Sequence, residues 1–154
     1  MWMVFVIGDG TWTGNFALWG TKALVMIEGV LSSVGDIAFK DGISIINFAL
    51  DSVELIGDTG TYSSSNNIAD RNVSGGYNEF GFNSDRSLVN WSVNDVAMTV
   101  LPDAPIDSVT GLKVPTIAVA TNGGVGVITD SGNVYDITWS SGTVTGKVAI
   151  EDNN

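Results

Sequence analysis

The chain has 154 residues, 44% of them apolar, which is enough for one domain with a real core and excludes an intrinsically disordered chain. Six basic residues against seventeen acidic ones leave a formal net charge of −11, which argues against nucleic acid and anionic membranes as main partners. With no cysteine and no histidine, disulfides, thiolate chemistry, histidine-dependent triads and the usual zinc sites are excluded as well.

Met1 to Ile7 is apolar but too short for a signal peptide, and Asp9 and four glycines keep 1–23 from being a membrane span. Export, if it occurs, is expected to depend on an assembly or on sequence beyond this stretch. Met3 to Gly10 predicts a strand ending at a Gly-Asp-Gly turn, and Thr11 to Asn15 a polar loop presenting Trp12. Asn15 to Trp19 and Ala23 to Glu28 predict two more strands, broken at Gly20-Thr21-Lys22, while Val30 to Ser33 is short enough to pair or to turn. Val34-Gly35-Asp36 opens a second unit, with a short strand over Ile37 to Lys40 and a turn at Asp41-Gly42. Ile43 to Leu50 is apolar throughout and reads as a strand. A helix over Ile43 to Leu55 is the competing reading, disfavoured by the preceding glycine and the β-branched start. Ser52 to Ile56 is the next strand, and Gly57-Asp58-Thr59-Gly60 its turn.

Tyr62 to Ser87 is rich in Ser, Asn, Gly and Asp, with Tyr62, Tyr77, Phe80 and Phe82 interleaved. It is either a strand pair with polar outer faces, anchored by its aromatics, or a surface loop that binds a ligand. Ser87 to Leu101 returns to strand character, strongest from Val96. Pro102 to Pro115 is a connector, because Pro105 and Pro115 forbid a central strand. Val114 to Ile150 then reads as four strands: Thr116 to Thr121, Val125 to Thr129, Val134 to Trp139 and Thr143 to Ile150. Asn122-Gly123-Gly124, Asp130-Ser131-Gly132 and Ser140-Ser141-Gly142 supply the turns. The first of these strands should be covered on both faces, and the last, with Lys147 and Glu151, should lie nearer solvent. That grading is the pattern of a β-propeller blade.

An internal repeat supports this organisation. Val53-Glu54-Leu55-Ile56-Gly57-Asp58-Thr59-Gly60 matches Val125-Gly126-Val127-Ile128-Thr129-Asp130-Ser131-Gly132 in residue type, and Val4 to Gly10 matches both with one residue fewer. The expected fold is all-β, a single domain of antiparallel four-stranded meanders, propeller-blade-like, in about three units over 1–33, 34–92 and 93–154. A β-sandwich is the alternative, since the same strand signals serve it.

PTIAVATNGGVGVITDSGNVYDIT, residues 115–138, resembles the strand-turn-strand repeats of β-propeller proteins, in particular propeller-like segments of large phage and marine viral structural proteins. The likeness is best over 94–139. It implies a scaffold or receptor-contact role and offers no catalytic residues. Three units do not close a ring of about four to eight blades, so strand edges are left bare to pair with copies or other chains.

Asp103, Asp107 and Asp130 are candidate calcium ligands, without an EF-hand loop around them. The paired carboxylates a glycosidase needs have no recognisable arrangement, and turn aspartates such as Asp58, Asp70 and Asp130 usually bond their own backbone. Trp12, Tyr62, Tyr77 and Phe82 are candidate ligand-binding residues, suited to a glycan. Of the five tryptophans most are expected in the core. Asn72-Val73-Ser74 and Asn90-Trp91-Ser92 match the glycosylation acceptor pattern. The expected function is a non-enzymatic structural module of a larger assembly, extracellular or virion-associated, that associates with itself or with other structural subunits. An extracellular carbohydrate-binding module is the second reading and a glycan-cleaving enzyme the third.

Overall fold

The structure, a computed structural model, describes residues 21–35, 42–64, 81–138 and 144–151. Its described residues are all-β, with no helix. The strands are β1 (Thr21–Ile27), β2 (Val30–Gly35), β3 (Gly42–Asn47), β4 (Ser52–Ile56), β5 (Thr61–Ser64), β6 (Gly81–Asn83), β7 (Val93–Thr99), β8 (Thr116–Thr121), β9 (Gly124–Ile128) and β10 (Val134–Thr138). They form two antiparallel sheets, six-stranded β1-β2-β3-β4-β5-β6 and four-stranded β7-β8-β9-β10, and neither closes into a barrel. The strands expected over Met3 to Gly10, Asn15 to Trp19 and Ile37 to Lys40 lie outside the described residues.

The turns follow from local chemistry. Glu28 and Gly29 both take positive φ, 47° and 76°, between the paired ends Ile27 and Val30. A two-residue turn of that hand matches the twist of its strands. After β3 the Asn47 side chain accepts from the backbone N–H of Ala49 and of Leu50, each at 3.0 Å. The strand therefore ends there and not at Leu50, and the helix over Ile43 to Leu55 does not form. Between β8 and β9 the Thr121 hydroxyl accepts from Gly123 N at 3.1 Å and donates to Gly124 O at 2.9 Å.

One apolar cluster lies between the sheets. Alternation along the strands sends Val30 and Val34, Ile43, and Ile56 inward from the first sheet, and Val93, Val96 and Met98, Ile117 and Val119, and Ile128 inward from the second. Val93 stays on this face because a bulge between Val93 and Asp95 absorbs one residue. Leu88, in the segment joining the sheets, is 2% exposed and completes the cluster. It rests on Gly126, where an added Cβ would sit 2.7 Å from Leu88 Cδ2. The edge strand β1 packs beside the edge strand β7, and Lys22 Nζ donates to Val93 O at 3.0 Å.

The repeat is real at the level of hairpins. In the first sheet Ile43 pairs with Ile56 and Leu55 with Tyr62; in the second Ile117 pairs with Ile128 and Val127 with Tyr135. Thus β2-β3-β4-β5 and β7-β8-β9-β10 correspond, and the first sheet carries a further strand at each end, β1 and β6.

Several expectations are corrected. β8 is buried along its whole length, as expected, yet it is the second strand of its meander and not the first. The expected fourth strand, Thr143 to Ile150, is absent from the ladder over its described residues 144–150. That segment spends its hydrogen bonds elsewhere. Thr145 N donates to Thr121 O at 3.1 Å, Asn94 Nδ2 to Thr145 O at 3.0 Å, and Val148 N to Asp95 Oδ2 at 3.2 Å. The carboxylate of Asp95, on the face of β7 away from the core, thus replaces a neighbouring strand, and Lys147 Nζ lies 3.5 Å from it. Where a break is expected, Thr21 and Lys22 lie within β1, at a register shift between Thr21 and Ala23, and β2 runs straight through the boundary set at 33/34. Trp91 is exposed, and the other four tryptophans, most of which are expected in the core, lie outside the described residues.

Candidate functional site

Pairing of β5 with β6 sets Tyr62 opposite Phe82, with ring centroids 4.9 Å apart and planes tilted by 47°. Phe82 is exposed and Tyr62 half-buried. Two of the four aromatic residues expected to bind a ligand are therefore one cross-strand pair on an outer face. Trp12 and Tyr77 lie outside the described residues.

The expected metal ligands have separate settings. Asp107 Oδ1 accepts from Val109 N at 3.0 Å, Thr110 N at 2.8 Å and the Thr110 hydroxyl at 3.0 Å. These bonds, led by the Thr110 backbone, hold its carboxyl below the ordinary value of 3.8, and they close the loop whose ends Ile106 and Lys113 bridge. Asp103 is exposed in the same connector, and Asp130 is half-buried at the β9–β10 turn. Among the described residues no three acidic side chains gather as a metal would require, these three included.

Asp130 instead lines an open cleft of about 220 Å³ between the sheets. Val30, Ile45, Ile117 and Ile128 form its apolar walls, and Asn47, Ser52, Glu54 and Arg86 its polar side. Arg86 and Glu54 make a two-pronged ion pair there, Nη1 to Oε1 at 3.0 Å and Nη2 to Oε2 at 3.1 Å. The Arg86 carbonyl also accepts from the Thr61 hydroxyl at 2.7 Å, while its Nε is buried without a partner among the described residues. Glu54 lies on the inward side of β4, and the pair lets a carboxylate sit beside the core. Sequence reasoning missed this pair. Its members stand 32 residues apart, on β4 and in the segment after β6, and only the ladders from β4 through β5 to β6 bring them together.

The edges carry the plainest signal. Among the described strands, the large apolar side chains more than half exposed are Leu24 and Met26 on β1, Phe82 on β6, and Tyr135 and Ile137 on β10. Each of these strands ends a sheet. The period-2 alternation of β1, in which Ala23, Val25 and Ile27 turn inward, could have revealed Leu24 and Met26 as an outward apolar row. Asp136, on β10, is mostly exposed, but burial of its carboxyl on the side toward Leu88 and Val89 pushes its pKa above 3.8, against a backbone hydrogen bond from Val89. At the expected glycosylation acceptor, Asn90 Oδ1 accepts from Ser92 N at 2.8 Å, while Asn122 Nδ2 donates to the Ser92 hydroxyl at 3.0 Å. Comparison of the chain with known protein families, with curated proteins and with solved structures gives no match.

Proposed function

We propose that the chain is a non-enzymatic structural module of a larger assembly, which packs its sheet edges against neighbouring subunits and displays its loops outward. The observation that carries this reading is the concentration of exposed apolar side chains on strands that end sheets: Leu24 and Met26, Phe82, and Tyr135 and Ile137. Soluble monomers blunt such edges with charge, proline or cover. Here β7 covers the edge of β1, but its outward Leu24 and Met26 stay exposed, and on β10 the single charge is Asp136, with no cover from the described residues. The resemblance to propeller-like segments of viral structural proteins makes a virion surface or tail component the setting, outside the cell or on the particle.

The resemblance covers β7 to β10, a four-stranded meander of blade size. A six-stranded first sheet exceeds a blade, and both sheets share one core, so the arrangement is better read as two layers of a β-sandwich. Light scattering over a concentration series, with salt enough to screen the negative charge, tests the proposal. A defined oligomer is expected, losing mass in Leu24→Lys/Met26→Lys. A monomer at every concentration would refute packing between copies.

The tilted Tyr62–Phe82 pair favours a second reading, a carbohydrate-binding face on β5 and β6. Glycan-array binding lost in Phe82→Ala would establish it, and an array without hits would remove it.

A further inference from the structure

The correspondence of the two meanders shows what the edge of β10 lacks among the described strands. β5 and β10 occupy the same place, each following the hairpin whose register pairs two isoleucines, and Tyr62 corresponds to Tyr135. On β5 a further antiparallel strand, β6, lies along the outer edge and sets Phe82 against Tyr62. Among the described strands β10 is the last of its sheet, and Tyr135 and Ile137 are more than half exposed. From this internal template we infer that β10 is an acceptor edge for an antiparallel strand of another chain, with an aromatic residue opposite Tyr135 and a lysine or arginine opposite Asp136. The inference rests on the reading of the chain as an interaction module and names where and with what it pairs.

The template fixes the chemistry of the occupant. In the first sheet Ser63 stands opposite Gly81, and Asp136 takes the place of Ser63. A strand added to β10 therefore sets one residue against a carboxylate, and opposite charges directly across a ladder attract. The chain's net charge of −11 draws a basic segment to the same edge. A second copy is the poorer occupant. The antiparallel register that sets Tyr135 against Ile137 of the other copy also sets the two Asp136 carboxylates against each other, and like charges in that place repel. The main-chain ladder would supply most of the affinity, and the aromatic and basic side chains its register, as in other strand additions.

The test uses the full chain and two synthetic peptides, one centred on Val-Lys-Phe-Thr and one on Val-Glu-Phe-Thr. Binding is followed by calorimetry and by hydrogen exchange at the β10 amides. The lysine peptide should bind saturably, slow exchange at β10, and bind about tenfold more tightly than the glutamate peptide, a difference that shrinks in high salt. Ile137→Lys, at an exposed position, should abolish binding while far-UV circular dichroism stays unchanged. Equal binding of the two peptides, unaltered exchange at β10, or undiminished binding by Ile137→Lys would each overturn the inference. Protection of β10 that grows with the concentration of the chain alone would overturn it in favour of a second copy. An oligomer that forms through β1 while neither peptide binds would sink this inference and leave the general reading standing.

Discussion

Leu88 and Gly126 form the contact by which the segment between the sheets is seated on the second sheet, and a double-mutant cycle measures it. Leu88 is 2% exposed, and its backbone N–H donates to Gly57 O at 2.8 Å, so the side chain has little freedom to move. Truncation in Leu88→Ala removes buried methyl groups and leaves a cavity, a loss of about 3 kcal/mol by comparison with similar core sites. Gly126→Ala errs the other way. Its new Cβ would fall 2.7 Å from Leu88 Cδ2, closer than real contacts allow, and overpacking of that kind costs about 1–2 kcal/mol. In the double variant the methyl added at position 126 enters the space that the leucine side chain vacated, so its clash disappears. The total should then be no worse than Leu88→Ala alone, with a coupling of about 1–2 kcal/mol between the sites. Urea unfolding followed by tryptophan fluorescence and circular dichroism reads each corner of the cycle. Losses that add to within about 0.5 kcal/mol would refute the argument, because they would mean the two groups do not meet.

Other outcomes follow from the same geometry. Gly124→Ala should destabilise by about 3 kcal/mol or more, since φ is +142° and a Cβ would run into the Ile137 carbonyl oxygen, whereas Gly132→Ala, with φ +80° and open space around it, should cost about 1 kcal/mol in thermal melts. Glu54→Gln breaks the two-pronged pair while both partners are about a quarter to a third exposed, so chemical denaturation should show a loss of only about 1 kcal/mol. Two aspartates give opposite pH signatures in urea midpoints measured across the acid range. Asp107, held below 3.8, contributes stability that is full above that value and lost as pH falls through its folded pKa, so the deficit of Asp107→Ala should vanish in acid. Asp136, raised above 3.8, is a cost at neutral pH that is relieved as pH falls through its folded pKa, so Asp136→Asn should stabilise at pH 7 and gain nothing in acid.

Much of the fold is legible where side chains and turns agree. β4 and β8 fall on the residues that the apolar pattern marks, because an alternating valine-isoleucine or an alanine-valine run between turn residues has only one covered place in a sheet. The pattern fails where polar residues pair. Thr61–Ser64 and Gly81–Asn83 are strands of small and polar residues, and their ladder is set by the neighbouring β4 rather than by their own propensity. It fails again at 144–150, where Val144, Val148 and Ile150 fall on one face as in a strand but Asp95 and Asn94 capture the backbone. For the site, the aromatic content of 62–87 pointed at Tyr62 and Phe82, whereas the Glu54–Arg86 pair and the apolar edges depend on register, which a single sequence encodes only through which face each strand buries.

Every described ladder joins strands that follow one another along the chain, from β1 to β6 and again from β7 to β10. For an all-β protein that keeps the sequence separation of its hydrogen-bonded partners short, and short separations favour fast folding. A chain emerging from the ribosome can therefore lay down its described strands in order, each beside the one before it. Among the described residues the later, long-range events are the docking of β7 against β1 and β2, by which Leu88 gains both of its walls, and the return of 145–148 onto Asn94, Asp95 and Thr121. Among the described strands β10 comes last in the chain, so its edge is made when the first sheet and the rest of its own sheet can already be in place.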